Sequence, residues 1–258
     1  MTTGAIRVER QGFVARVTID DAARHNAMSL SMWEALRDAF ARIETDQAVR
    51  VCVLRGGGDK SFVSGANISE FETQRSGDAA VRHYNEVVAQ TQAAIVRSRV
   101  PVIAAISGYC YGGGMGLALS CDLRYAAPHS RFRMPAARMG LGYDVQNMRS
   151  ILRSLGPIAT AEAFYTARVY DAAQAQAMGM VNAVVDDVFV HCNDLALEIA
   201  LNAPLTIQAA KQAIVAIHED TQDLSAVQAA VQACFTSKDY AEGRLAFAEK
   251  RAPQFTGQ

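Results

Sequence analysis

The segment PVIAAISGYCYGGGMGLALS, residues 101–120, constrains this chain more than any other. An apolar run entered through a proline reads as a buried strand, and an apolar helical run follows almost at once. Yet Gly112, Gly113, Gly114 and Gly116 crowd the junction. Each interior helical glycine costs about 1 kcal/mol against alanine, so something must use the bare backbone. The N–H groups of a first helical turn lack intrahelical partners, and the helix dipole adds to their pull on negative charge. Without side chains, a ligand oxygen can approach them closely. Tight helix–sheet packing or a phosphate cradle would use the same glycines. The run is no P-loop, because no Lys-Ser/Thr pair follows, and it lacks GxGxxG spacing.

The rest of the chain repeats the alternation of strand and helix. IRVER and VARVTID read as two strands joined at Gly12, and Met32, Leu36, Phe40 and Ile43 fall on one helical face. VRVCVLRG reads as a buried strand running into the loop GGGDKSFVSGANISEF, and a helix ends near Arg97. CDLRYAA and SRFRM add two more strands. This is the pattern of an α/β protein. From about Asp187 the chain reads as helix after helix, including 205–218 and 240–251. The expected division is therefore an α/β body over 1–186 and a helical C-terminal region over 187–258.

Composition narrows the function classes. The 258 residues are half hydrophobic and carry a net charge of −1, enough apolar material for a full core. No basic comb suggests nucleic acid. The start, MTTGAIRVER, has no apolar run, and no stretch reaches transmembrane length, so a cytoplasmic protein away from membranes is expected. Five scattered cysteines without a CxxC pair read as reduced, packed thiols and not as metal ligands.

SFVSGANISEF (61–71) and PVIAAISGYCYGGGMGLALSCDLRYA (101–126) together resemble the two signature segments of the crotonase superfamily, the enoyl-CoA hydratase/isomerase fold. HNAMS near the start, AQAMGMVNAVV (175–185) and the tail EGRLAFAEKRAPQF extend the resemblance over nearly the whole chain. It implies a spiral of ββα units with a helical C-terminal region that builds trimers, often paired into hexamers. It also implies an acyl-CoA substrate, coenzyme A entering as part of that substrate with no separate cofactor. The thioester oxygen would sit between the backbone N–H groups of Ala66 and Gly113. One such donor contributes roughly 3 kcal/mol to lowering a barrier.

The same resemblance places the coenzyme A contacts. Arg24, beside HNAM, would approach the phosphates, and Ser64, Ala66 and Ile68 would flank the adenine side. Phe247 and Lys250 would reach the CoA of a neighbouring subunit. Asn67 stands where the family usually has Asp.

At the chemistry the sequence departs from the pattern. Hydratases of the family hold a water between two glutamates, and those places are Gly116 and Ala136 here. Neither can move a proton. Tyr143 matches the tyrosine of methylmalonyl-CoA decarboxylase-like members, and Asp144 the nucleophilic aspartate of chlorobenzoyl-CoA dehalogenases. Asp144 reads equally well as a helix N-cap. The dehalogenase histidine and tryptophan fall at Ala89 and Ala136, which argues against that activity. His83 reads as a surface or packing residue, Glu162 as structural, and Arg168 with Asp171 as a turn and cap. Hydration, isomerisation, decarboxylation and hydrolysis stay open, with a CoA-binding protein of little turnover as the alternative.

Overall fold

The first two predicted strands form a hairpin. β1 (Ala5–Gln11) and β2 (Val14–Asp20) pair antiparallel about Gly12, whose φ is 59°. The computed structural model describes residues 4–67, 77–143 and 145–258. Helix α1 (Leu30–Thr45) follows, capped by Ser29, whose hydroxyl accepts from the Met32 N–H. It buries the predicted Met32, Leu36, Phe40 and Ile43, and Trp33 with them.

Three strand–strand–helix units then succeed one another. β3 (Val51–Gly56) and β4 (Ser61–Val63) lead to α2 (Asp78–Val96), and β5 (Val102–Ile106) and β6 (Tyr109–Tyr111) lead to α3 (Gly113–Ser120). β7 (Leu123–Ala126) and β8 (Arg131–Arg133) lead to α4 (Ala136–Met139) and α5 (Val145–Thr166). The first strand of each unit joins one sheet, of order β1-β2-β3-β5-β7-β10, and the second joins another, β4-β6-β8-β9. The short strands β9 (Tyr170–Asp171) and β10 (Ala183–Val184) finish the sheets. All pairings are parallel except the opening hairpin and β8 with β9. The predicted mixed α/β architecture is confirmed.

One local expectation changes. The glycine segment is not a single turn: between Gly108 and Gly112 the chain makes β6, stepping from the large sheet to the small one. Gly108 takes a φ of 72°, and any Cβ there would strike the Lys60 carbonyl.

The parallel strands are buried on both faces, hence their nearly continuous apolar sequence. On one face Leu54, Ala104 and Ile106 meet α1, α2 and α3. On the other, Val51, Val53 and Ile103 are covered by Val188, Cys192 and Ala196 of α7 (Val188–Ala200). α6 (Ala172–Ala177) begins with a capping box in which Asp171 and Gln174 satisfy each other's backbone N–H groups. Glu162 pairs with Arg168 at 2.5 Å. Both fit the structural roles expected of them.

Three further helices follow, α8 (Pro204–His218), α9 (Ser225–Thr236) and α10 (Lys238–Glu249). An ion pair between a buried lysine and a solvent-accessible aspartate ties α8 to the sheet: Lys211 Nζ donates to Asp122 Oδ2 at 2.7 Å and to the Val100 carbonyl at 2.8 Å. The same Asp122 oxygen accepts the Val102 N–H, so the buried ammonium has both a counter-charge and a carbonyl acceptor. All five cysteines are free thiols, four of them buried. Burial pushes the Cys52 and Cys192 thiols up to about 12, which suits packing and not nucleophilic chemistry. Among the described residues no helix is long and apolar enough to cross a membrane.

Candidate active site

The site grows from the N-terminus of α3. Each glycine there answers a different constraint. Gly112, the N-cap, takes a φ of 51° and a ψ of −110°, which side chains disfavour. A Cβ on Gly113 would lie 3.1 Å from Cζ2 of Trp33, and one on Gly114 2.9 Å from Cβ of Val63. A Cβ on Gly116 would lie 2.5 Å from Nε2 of Gln92. Gly114 therefore serves helix–strand packing, and Gly113 and Gly116 face the site.

Beside this turn runs the loop after β4. Gly65 (φ 119°) sends its carbonyl to the Met28 N–H, and the Asn67 N–H donates to the Met28 carbonyl. Ala66, between them, has its own N–H left over. The two turns touch: a Cβ on Gly112 would be 4.0 Å from the Gly65 Cα. Among the described residues neither the Ala66 nor the Gly113 N–H donates to a protein acceptor. Both residues line one cavity of about 260 Å³.

Other walls come from four helices. Trp33 of α1 donates its indole N–H to the Tyr84 hydroxyl of α2 at 3.0 Å, and both line the cavity. Gln92 lies two turns beyond Tyr84 on α2. Ala136 and Met139 of α4, Tyr143, and Asn147 of α5 close the far side. Tyr143 is half-buried and packs edge-on against Phe164, with ring centroids 5.0 Å apart. Gly116 and Ala136, the places where the resemblance expects glutamates, both border the cavity. Among the described lining residues there is no Asp, Glu, His, Lys or Arg. Nor do the described residues hold a cluster of acidic, His or Cys side chains able to bind a metal ion.

The remaining expected contacts are spread outward. Ser64 lines the cavity, and its N–H donates to the His25 carbonyl. Arg24 sits just outside on a short 3-10 turn, its guanidinium held 3.2 Å from the Asp21 carboxylate. Phe247 and Lys250 are exposed on and just after α10, and neither lines this cavity. His83 is on the surface. Ile68 and Asp144 lie outside the described residues.

The motif HNAMS has a structural reason. Asn26 is wholly buried at a φ of 56°, and its carboxamide donates to the carbonyls of Gly57 and Ser61 while accepting the Asp21 N–H. It clamps the Arg24 turn onto the strands beside the cavity.

A family model described as enoyl-CoA hydratase/isomerase matches residues 9–258. The chain belongs to this family. It lies within the crotonase superfamily, as its motifs suggested. It is 30% identical over 256 residues to the short-chain-enoyl-CoA hydratase of Clostridium acetobutylicum, covering 97% of each chain. It is 29% identical to the carnitinyl-CoA dehydratase of Salmonella arizonae, covering 98% of each. Its fold matches the crystal structure of an enoyl-CoA hydratase/carnithine racemase from Magnetospirillum magneticum with a TM-score of 0.92 and 36% identity. That match covers all of this chain and 97% of the other. These family members carry names for different reactions, so membership leaves the reaction open.

Sequence reasoning passed over Trp33, Asn85, Gln92 and Asn147. A signal existed for Gln92: Tyr84, Val88 and Gln92 are four residues apart, so a polar side chain sits on the buried stripe of α2.

Proposed function

We propose that this chain is an acyl-CoA enzyme that holds a thioester carbonyl between the N–H groups of Ala66 and Gly113 and stabilises the anion formed there. The observation that carries this reading is that these two unengaged N–H groups belong to residues lining one cavity. Fixed donors aimed at a developing oxyanion need no reorganisation during reaction, and each contributes about 3 kcal/mol. Coenzyme A comes as part of the substrate, running outward past Ser64, Ile68 and Arg24, and no separate cofactor is required. Tyr143 is the proposed proton donor or guide at the acyl group, with Asp144 as the carboxylate beside it. Decarboxylation, which forms an enolate without a base, suits this wall better than hydration or isomerisation, because Gly116 and Ala136 offer no group to move the proton that either of those needs.

Trp33 is the only tryptophan in the chain and lines the cavity, so its emission should report occupancy. A panel of short acyl-, enoyl- and malonyl-type CoA thioesters, followed by Trp33 fluorescence and by product formation, tests the proposal. At least one thioester should shift the emission and be turned over, with turnover reduced roughly 10-fold or more in Tyr143→Phe. Binding without turnover of any thioester would favour a CoA-binding protein, a reading that the absence of carboxylates among the described lining residues also supports. No response to any thioester would overturn both.

We further infer a homotrimer, or a hexamer of two trimers. Phe247 is 87% exposed, Ile217 76% and Phe235 57%, large apolar side chains left uncovered on the three C-terminal helices. A neighbouring copy would cover them and bring Phe247 and Lys250 to its CoA, in closed symmetry. Light scattering should give a trimer or hexamer mass at micromolar concentration, and a stable monomer would exclude this assembly.

A further inference from the structure

Gln92 does something that the proposed oxyanion site does not require. It is 5% exposed on α2, and its Oε1 is buried with no hydrogen-bond partner among the described residues. Its Nε2 occupies the space that a side chain on Gly116 would fill. Burying a carboxamide without partners is costly, and an apolar residue would pack there at no such cost. The residue lines the cavity. Gly116 follows Gly113 by three residues, about 4.5 Å along the helix axis and on the same cavity-facing side. That is roughly the reach from a thioester carbonyl held at Gly113 to an oxygen carried on the third carbon of the acyl chain. The surrounding described wall offers other neutral hydrogen-bonding groups, Asn85, Asn147 and the Tyr84 hydroxyl, and no ionised side chain.

We propose that Gln92 is a specificity-determining residue that hydrogen-bonds a neutral oxygen, hydroxyl or carbonyl, borne on the acyl chain of the substrate. The assignment rests on the acyl-CoA reading above. A carboxamide can donate to a carbonyl and accept from a hydroxyl, so it serves both oxygens. It cannot neutralise a carboxylate, and the described residues lining the cavity include no cation that would.

Two ligands differing in one oxygen, 3-hydroxybutyryl-CoA and butyryl-CoA, test this by Trp33 fluorescence titration of the full chain. The wild type should bind the hydroxylated thioester about fivefold or more tighter, the yield of one well-made buried hydrogen bond. In Gln92→Leu the ratio of the two dissociation constants should collapse toward one. Removing an unpaired buried carboxamide should also leave the melting temperature unchanged or higher, which separates loss of recognition from loss of fold. Gln92→Met, closer in shape, should reproduce the collapse. A wild type without preference, or a preference that survives both substitutions, would overturn the assignment while leaving the acyl-CoA reading intact. If neither of these nor any thioester of the wider panel binds, the acyl-CoA reading itself fails and takes the role of Gln92 with it.

Discussion

Gly113→Val is expected to lower turnover of the best thioester by roughly 10²-fold or more, the loss typical of one oxyanion donor, in a protein that still folds and assembles. The sequence suggested that a side chain here would crowd the ligand. The structure adds a harder obstacle. The new Cβ would already press on the Trp33 ring at 3.1 Å, and valine's two methyl groups add bulk next to it. Trp33 has little room to yield, because it is fully buried and its indole N–H is bonded to Tyr84. The first turn of α3 must therefore shift, and the Gly113 N–H moves with it. Gly113→Ala, needing a displacement of only a few tenths of an ångström, should fall between wild type and valine. Steady-state rates together with circular dichroism decide the matter. A folded Gly113→Val protein with wild-type turnover would show that this N–H is not the donor.

Much of this geometry could be read in advance, for a specific reason. Apolar strands such as VRVCVLRG and PVIAAIS are buried on both faces and so advertise themselves without ambiguity. The stripe Met32, Leu36, Phe40 and Ile43 fixes the inner face of α1 in the same way. The glycine cluster at 112–116 could be recognised as a place where backbone meets something, but not what each glycine meets. One answers to φ, one to Trp33, one to Val63 and one to Gln92. Those partners come from β4, α1 and α2, 20 to 80 residues away in the chain, and no local pattern encodes such encounters. The short strand β6 was hidden for a related reason. Three residues flanked by glycines look like a turn until a neighbouring strand supplies their hydrogen bonds.

The candidate site shows the same division. Ala66, Gly113 and Tyr143, picked from motifs, do converge on one cavity. Asn26 was visible only as part of a motif, whereas its buried carboxamide and three hydrogen bonds explain why the motif needs an asparagine. Gln92 escaped because glutamine on a helix is ordinarily a solvated residue. Only the packing of α2 against α3 reveals that it replaces a missing side chain.

That replacement governs the second large effect. Wild-type hydration of crotonyl-CoA should be slow, since Gly116 and Ala136 cannot transfer protons and each properly placed acid or base contributes about 10²–10⁴-fold. Grafting the pair by Gly116→Glu with Ala136→Glu looks sufficient from sequence alone. It should fail, because the first new side chain would start 2.5 Å from the Gln92 amide, and the carboxylate would be diverted or would deform α3. Adding Gln92→Ala clears the space. The triple variant should then hydrate crotonyl-CoA about 10²-fold or more faster than wild type. Burial at Gly116 and Ala136, both closed off from solvent, would raise the grafted carboxyl groups toward neutrality, where they are most effective as acid and base. Following loss of the conjugated thioester absorbance for wild type, double and triple variants tests the steric argument directly. A double variant as fast as the triple would show that Gln92 does not hold that space. A triple variant no faster than wild type would show that the cavity does not present the acyl chain to these two positions.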